Sequence, residues 1–142
     1  MYRYALFDLF GTLVDEGGGA IEGAPELLAG LPPERWAVVT SCPRRLAVAL
    51  IARAGLPEPR LLVSADDVAH GKPAPDPYAA AVRGFGAHPA QCIAIEDSAA
   101  GIASARAAGV DVIAVLRGRA ADFARAASYT ARTIGDIVLD LG

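Results

Sequence analysis

Residues 4–15 read Tyr4-Ala5-Leu6-Phe7-Asp8-Leu9-Phe10-Gly11-Thr12-Leu13-Val14-Asp15, and the architecture can be worked out from here. A short, nearly all apolar run stops at an acid and a Gly-Thr turn, as a strand buried on both faces of a parallel sheet does. Similar runs recur at Trp36–Val39, Leu61–Val63, Cys92–Ile95 and Val112–Val115. Between them lie segments rich in helix formers, Pro25–Ala29, Arg44–Ala54, Asp76–Phe85 and Ala99–Ala108, with Gly30, Gly55, Gly86 and Gly109 where helices stop. Ala121–Ala127 and Ile134–Leu141 read as late helices. Alternating strands and helices joined by short connections predict an α/β fold, a central parallel sheet with helices on both faces, forming one domain over residues 1–142.

Composition supports a folded chain and removes several functions. The 142 residues are 54% hydrophobic and 20% charged, enough to build a core and unlike a disordered sequence. Thirteen Lys and Arg against 16 Asp and Glu give a net charge of −3, which excludes a basic nucleic-acid stripe. Apolar runs are too short for a membrane span, and Met1–Phe10 lacks the regions of a secretory signal, so the cytoplasm is the expected compartment. Cys42 and Cys92 form no Cys-x-x-Cys pair and read as small core residues, as Trp36 and the tyrosines read as packing residues. His70 reads as structural.

Ligands of open parallel sheets sit beyond the carboxyl ends of the strands. Asp8 follows the first strand, Thr40 and Ser41 the second, Lys72 lies beyond the third, and Glu96 and Asp97 close the fourth. A strand-end carboxylate before a Gly-Thr turn can act as a nucleophile, with backbone N–H groups facing an anion. A hydroxyl past a buried strand can bond a phosphate oxygen. In Gly71-Lys72-Pro73-Ala74-Pro75, Gly71 permits an unusual backbone angle and the prolines stiffen the exit, so Lys72 can be aimed inward. Adjacent acids at the end of an apolar strand call for a compensating cation. Arg44 and Arg45 follow the second strand and could also meet an anion.

These four segments, in this order, resemble the haloacid dehalogenase superfamily of Mg-dependent phosphohydrolases from about Tyr4 to Val115. Gly71–Tyr78 and Glu96–Ile102 look particularly like its sugar-phosphatase and β-phosphoglucomutase branch. The resemblance implies a three-layer Rossmann-like sandwich, a small phosphorylated substrate and Mg²⁺. It further implies that Asp8 becomes an aspartyl-phosphate, that Ser41 or Thr40 binds the phosphoryl group, and that Lys72 neutralises Asp8 and the phosphoryl oxygens. Asp97, supported by Glu96, would hold the metal with Asp8 and the backbone carbonyl of Phe10.

The chain departs from that pattern twice. Where the superfamily's phosphatases carry a second Asp as general acid and base, this chain has Phe10. A positioned acid–base group is worth about 10²–10⁴-fold in rate, so hydrolysis should be damaged while metal binding survives. Relatives also carry a helical cap of several dozen residues after the first motif. Here Glu16-Gly17-Gly18-Gly19-Ala20, residues 16–20, and a few more residues stand in its place, with the composition of a flexible joint. The leading expectation is a phosphohydrolase core impaired at the acid–base step. Its alternative is a catalytically silent or engineered, cap-deleted scaffold that binds metal and phosphate. Dehalogenation ranks lower, because that branch has Asn-rich segments where this chain has Thr40-Ser41-Cys42 and Glu96-Asp97-Ser98.

Overall fold

The computed structural model describes residues 1–142. Six strands form one sheet: β1 (Tyr4–Phe7), β2 (Trp36–Val39), β3 (Leu62–Val63), β4 (Cys92–Glu96), β5 (Asp111–Val115) and β6 (Tyr129–Ala131). They are all parallel and lie in the order β3-β2-β1-β4-β5-β6. Four helices cover them: α1 (Ala24–Ala29), α2 (Arg44–Arg53), α3 (Asp76–Gly84) and α4 (Ala99–Ala107). None is long and apolar enough to cross a membrane.

Strand alternation divides the core into two layers. Ala5, Phe7, Trp36, Val38, Ile93 and Ile95 face α1 and α2, whose Leu28 and Ile51 pack against them. Leu6, Ala37, Val39, Cys92 and Ala94 face α3 and α4, meeting Tyr78, Ala81, Ile102 and Ala105. The side chains toward α3 and α4 are the smaller set, so those helices can sit close to the sheet. This is the three-layer sandwich expected.

Four details correct the sequence reading. A sixth strand, β6, was missed because Tyr129-Thr130-Ala131 is a short edge strand, largely exposed, with no apolar run to mark it. The expected helix over 121–127 is a single 3₁₀ turn at Ala121–Ala124. The one over 134–141 is likewise a turn at Ile134–Asp136: Asp136 accepts from the Thr133 N–H and hydroxyl, closing the turn, and Ile137 is already extended. The glycine stretch is an ordered hairpin turn rather than a loose joint. Val14 and Ala20 bridge in antiparallel fashion, the Gly19 N–H donates to the Asp15 carboxylate at 3.1 Å, and Gly18 adopts φ 88°. Asp15 therefore organises what composition alone leaves flexible.

Candidate active site

Because β1 lies between β2 and β4, the connections diverge around it and leave a crevice at the carboxyl ends of the strands. The register pairs Phe7 with Ile95, and the Asp8 N–H continues the ladder to the Ile95 carbonyl at 3.0 Å. Asp8 is thus fixed beside the end of β4. A cavity of about 380 Å³ opens there, with Asp8, Thr40, Ser41, Lys72 and Asp97 on its walls and Phe10 at its mouth. All the strand-end groups except Glu96 line it.

Lys72 reaches in from the loop before α3. Its Nζ donates to Asp8 Oδ1 at 2.7 Å, to Glu96 Oε2 at 2.6 Å and to the Val39 carbonyl at 3.1 Å. Its side chain is only 6% exposed. Burial pulls the ammonium's pKa down, but the charges of Asp8 and Glu96 outweigh it, so the pKa ends above the ordinary lysine value. The aiming does not come from Gly71 in a left-handed conformation. The Lys72-Pro73 peptide is cis, and Gly71 has no positive φ.

The other oxygen of Asp8, Oδ2, accepts from the buried Thr12 hydroxyl at 3.2 Å. Glu96 is fully buried, and Tyr78 donates to its Oε2 at 2.6 Å. Burial first, and then the charge of Asp8, push the Glu96 carboxyl up to about 7, against the pull of Lys72. Asp97 is half-buried. Burial, a hydrogen bond with Asp8 and the Asp8 charge raise its pKa to about 7, opposed by Arg119 and Arg117. Glycines make room for both acids: a Cβ on Gly11 would lie 2.1 Å from Asp97 Oδ2, and one on Gly101 would lie 1.9 Å from Glu96 Oε1. Gly11 also has φ 88°, so its turn needs glycine twice over.

Oxygens of Asp8, Glu96 and Asp97 lie within 4.8 Å of one another. Lys72 pairs with Asp8 and Glu96 but not with Asp97, which faces Asp8 as a second carboxylate. The donor set fits a hard divalent cation held by oxygens. Asp8 and Asp97 face the cavity, and Phe10 retains its backbone carbonyl at the rim. Glu96 already gives Oε2 to Lys72 and Tyr78, while Oε1 accepts from the Ser98 hydroxyl at 3.4 Å.

Thr40 is buried and its Oγ1 accepts from the Cys42 N–H at 3.1 Å, whereas Ser41 is exposed on the cavity wall. Cys92 is a core residue as expected, but Cys42 is half-buried at this wall. Arg44 is not free for an anion, since its guanidinium holds the Asp67 carboxylate at 2.8 Å and the Leu62 carbonyl at 2.6 Å. His70 is exposed beside Asp76, outside the site. Sequence reading missed Thr12, Tyr78 and Arg117. Thr12 stands in the quoted motif. Arg117 follows the fifth strand, where inspection of strand ends, carried one strand further, finds it. Tyr78, set down as packing, gave no separate signal.

The chain is similar to known proteins over most of its length. A family model described as haloacid dehalogenase-like hydrolase matches residues 16–109. Hexitol phosphatase A of Escherichia coli is 44% identical over 105 residues, 70% of this chain and 47% of that protein. Fructose-1-phosphate phosphatase YqaB of the same organism is 42% identical over 80 residues, 56% of this chain and 43% of its own length. The chain therefore spans about half the length of the curated relatives it matches. Among solved structures, CbbY from Rhodobacter sphaeroides in complex with xylulose-1,5-bisphosphate superimposes with a TM-score of 0.69 at 28% identity, over 83% of this chain and 56% of that one. With its acid, hydroxyl and lysine gathered at the β1/β4 crevice and its sequence matched over most of its length, the chain belongs to the haloacid dehalogenase-like hydrolases, alongside sugar-phosphatase relatives.

Proposed function

We propose that this chain is a phosphate-monoester hydrolase core working through Asp8, with turnover limited by Phe10. The observation that carries the reading is the buried Lys72 ammonium 2.7 Å from Asp8 Oδ1, in a cavity shared with Asp97. A carboxylate attacking a phosphate dianion needs fixed positive charge, and phosphoryl transfer is mostly positioning and charge stabilisation. Lys72 supplies that charge, and Thr12 orients the carboxylate. A carboxylate oxygen of Asp8 attacks phosphorus, the ester P–O bond breaks, and the alkoxide leaves carrying the bond pair. Water then attacks phosphorus, the Asp8 O–P bond breaks to return the carboxylate and release phosphate, and with Phe10 inert the proton lost by the water and the one gained by the alkoxide are exchanged with solvent. Thr40 or Ser41 would hold a phosphoryl oxygen by donating its hydroxyl.

Asp8, Asp97 and the Phe10 carbonyl would hold Mg²⁺, with Glu96 as support; when bound, it neutralises charge on the phosphoryl oxygens. Phe10 is the weak point. It can neither protonate the leaving alkoxide nor deprotonate the attacking water. The names of the relatives support a small phosphorylated sugar or polyol as substrate. The short hairpin at Asp15–Ala20 stands where relatives carry a cap, leaving the cavity open and its substrate selection loose.

The exposure of Phe10, 45% at the cavity mouth, favours a second reading, a silent scaffold that binds metal and phosphate. The two separate in one assay with p-nitrophenyl phosphate and Mg²⁺. Phe10→Asp should raise kcat by about 10²–10⁴-fold, and adding Asp8→Ala should abolish the gain. A Phe10→Asp protein that binds inorganic phosphate yet turns nothing over is the scaffold, and the hydrolase reading falls.

A further inference from the structure

We infer that Arg117 is a positioning residue that clamps the nucleophile turn to the loop after β5, an inference that rests on the reading of Asp8 as nucleophile. The turn itself is a tight knot. The N–H groups of Thr12, Leu13 and Val14 all converge on the Leu9 carbonyl, at 3.2, 2.8 and 3.1 Å, and the Gly11 N–H donates to the Val14 carbonyl at 2.8 Å. Those bonds leave the Gly11 carbonyl facing outward. Arg117 Nη1 donates to it at 3.1 Å, across 106 residues of sequence.

Arg117 is built into that position at a conformational cost. It is the only non-glycine residue with positive φ, 53°. Strain of this kind persists only where surrounding contacts over-determine it. Here they do: the Leu116 and Arg117 N–H groups donate to the Ala131 and Arg132 carbonyls at 2.9 Å each, and the Arg119 N–H closes the turn onto the Leu116 carbonyl at 3.1 Å. Arg119 adds bonds from its guanidinium to the Val115 and Leu116 carbonyls at 3.1 and 2.9 Å, with that group 4.2 Å from the Phe123 ring centre. The edge strand β6 and Arg119 thus brace the loop that presents Arg117.

The consequence reaches Asp8 and Asp97. Gly11 sits against the Asp97 carboxylate on one side and under the Arg117 guanidinium on the other. The carbonyl that Arg117 holds belongs to the Gly11–Thr12 peptide, so the clamp acts directly on Thr12, whose hydroxyl donates to Asp8 Oδ2 at 3.2 Å. The two arginines also favour the ionised form of Asp97.

The test is amide exchange by NMR on the full chain, comparing wild type with Arg117→Met, Arg117→Lys and Arg117→Gly. In Arg117→Met, exchange at Gly11, Thr12, Leu13 and Val14 should quicken about tenfold or more, the effect of losing one charge-assisted hydrogen bond, while Ile93 and Ile95 in β4 keep their protection. Arg117→Lys should restore part of it. Arg117→Gly, which relieves the left-handed backbone, should match or exceed the Tm of Arg117→Met and show the same faster turn. In the Phe10→Asp background, Arg117→Met should lower kcat about tenfold with KM within about twofold, as expected of lost positioning. Unchanged turn protection in Arg117→Met, or a loss spread evenly over the sheet, overturns the inference. Absent turnover in the Phe10→Asp background overturns the hydrolase reading alone, because the exchange measurement does not depend on catalysis.

Discussion

Replacing Lys72 by Met removes the one positive charge facing Asp8 and Glu96 while nearly keeping the shape of the stem. At an effective dielectric of about 20, each of its two carboxylate contacts is worth roughly 6 kcal/mol of gross Coulomb attraction. Desolvation of the three ions cancels much of that in the intact protein, so the quantity that matters is what remains unpaired afterwards. Glu96 is fully buried and Asp8 is 8% exposed, so neither can recover its hydration by moving to solvent. Breaking a buried pair in this way costs about 3–5 kcal/mol, a large part of the roughly 5–15 kcal/mol that holds a domain folded. Urea unfolding at pH 7.5 without added metal, followed by far-UV circular dichroism, reads the loss directly. Adding Glu96→Gln to Lys72→Met removes one orphaned charge and keeps an acceptor for Tyr78, so about 1–3 kcal/mol should return. A single variant within about 1 kcal/mol of wild type, or a double variant no more stable than the single one, would refute the claim that Lys72 is held by charge.

Three further outcomes follow from the same geometry. Tyr78→Phe keeps the ring but takes away the 2.6 Å bond to Glu96, and should lower unfolding stability by about 1.5–3 kcal/mol in the same urea assay. Gly101→Ala would place a methyl 1.9 Å from Glu96 Oε1, and the forced shift should cost about 1–3 kcal/mol, with Gly86→Ala as a strained but uncrowded control. The pH dependence is set by Glu96 and Asp97, whose folded values of about 7 stand above their unfolded ones. Between those values the folded state holds more protons, so stability present at low pH is lost as pH rises toward and through 7. At about 1.4 kcal/mol per pKa unit, discounted for the partial exposure of Asp97, the metal-free protein should be a few kcal/mol less stable at pH 8 than at pH 5. Calorimetric Tm should fall accordingly, and Mg²⁺ should raise Tm at pH 8 far more than at pH 5; a Tm that climbs with pH in its absence contradicts the charge count.

What the sequence disclosed, and what it hid, separates by whether position along the chain determines position in space. Asp8, Thr40, Ser41, Lys72 and Asp97 were legible because the ends of parallel strands must share an edge. Thr12 and Tyr78 were not, because a hydroxyl's partner depends on the local turn and on helix phase: Tyr78 lies in the first turn of α3, and only the packing of that helix on β2 and β3, beside α4, directs its oxygen to Glu96. The strand β6 escaped because an edge strand need not be apolar. The triple glycine misled because composition reports the freedom of an isolated chain, whereas Asp15 removes that freedom with one side-chain acceptor.

Parity along β4 explains why its two neighbouring acids take different work. Side chains of successive strand residues point to opposite faces. Glu96 has the parity of Ala94 and Cys92, which face α3 and α4, and it is there that Tyr78 and the bare Cα of Gly101 receive it. Asp97, one residue on, has left the ladder and turns to the cavity beside Asp8. One acid therefore becomes a buried counter-ion that holds Lys72 in place, and the other lines the cavity beside Asp8, where the proposed function puts the cation and the phosphoryl group. Exchanging their identities would fail for a geometric reason. An aspartate at position 96 would fall short of Lys72, and a glutamate at 97 would crowd Gly11, whose missing side chain leaves room only for the shorter acid.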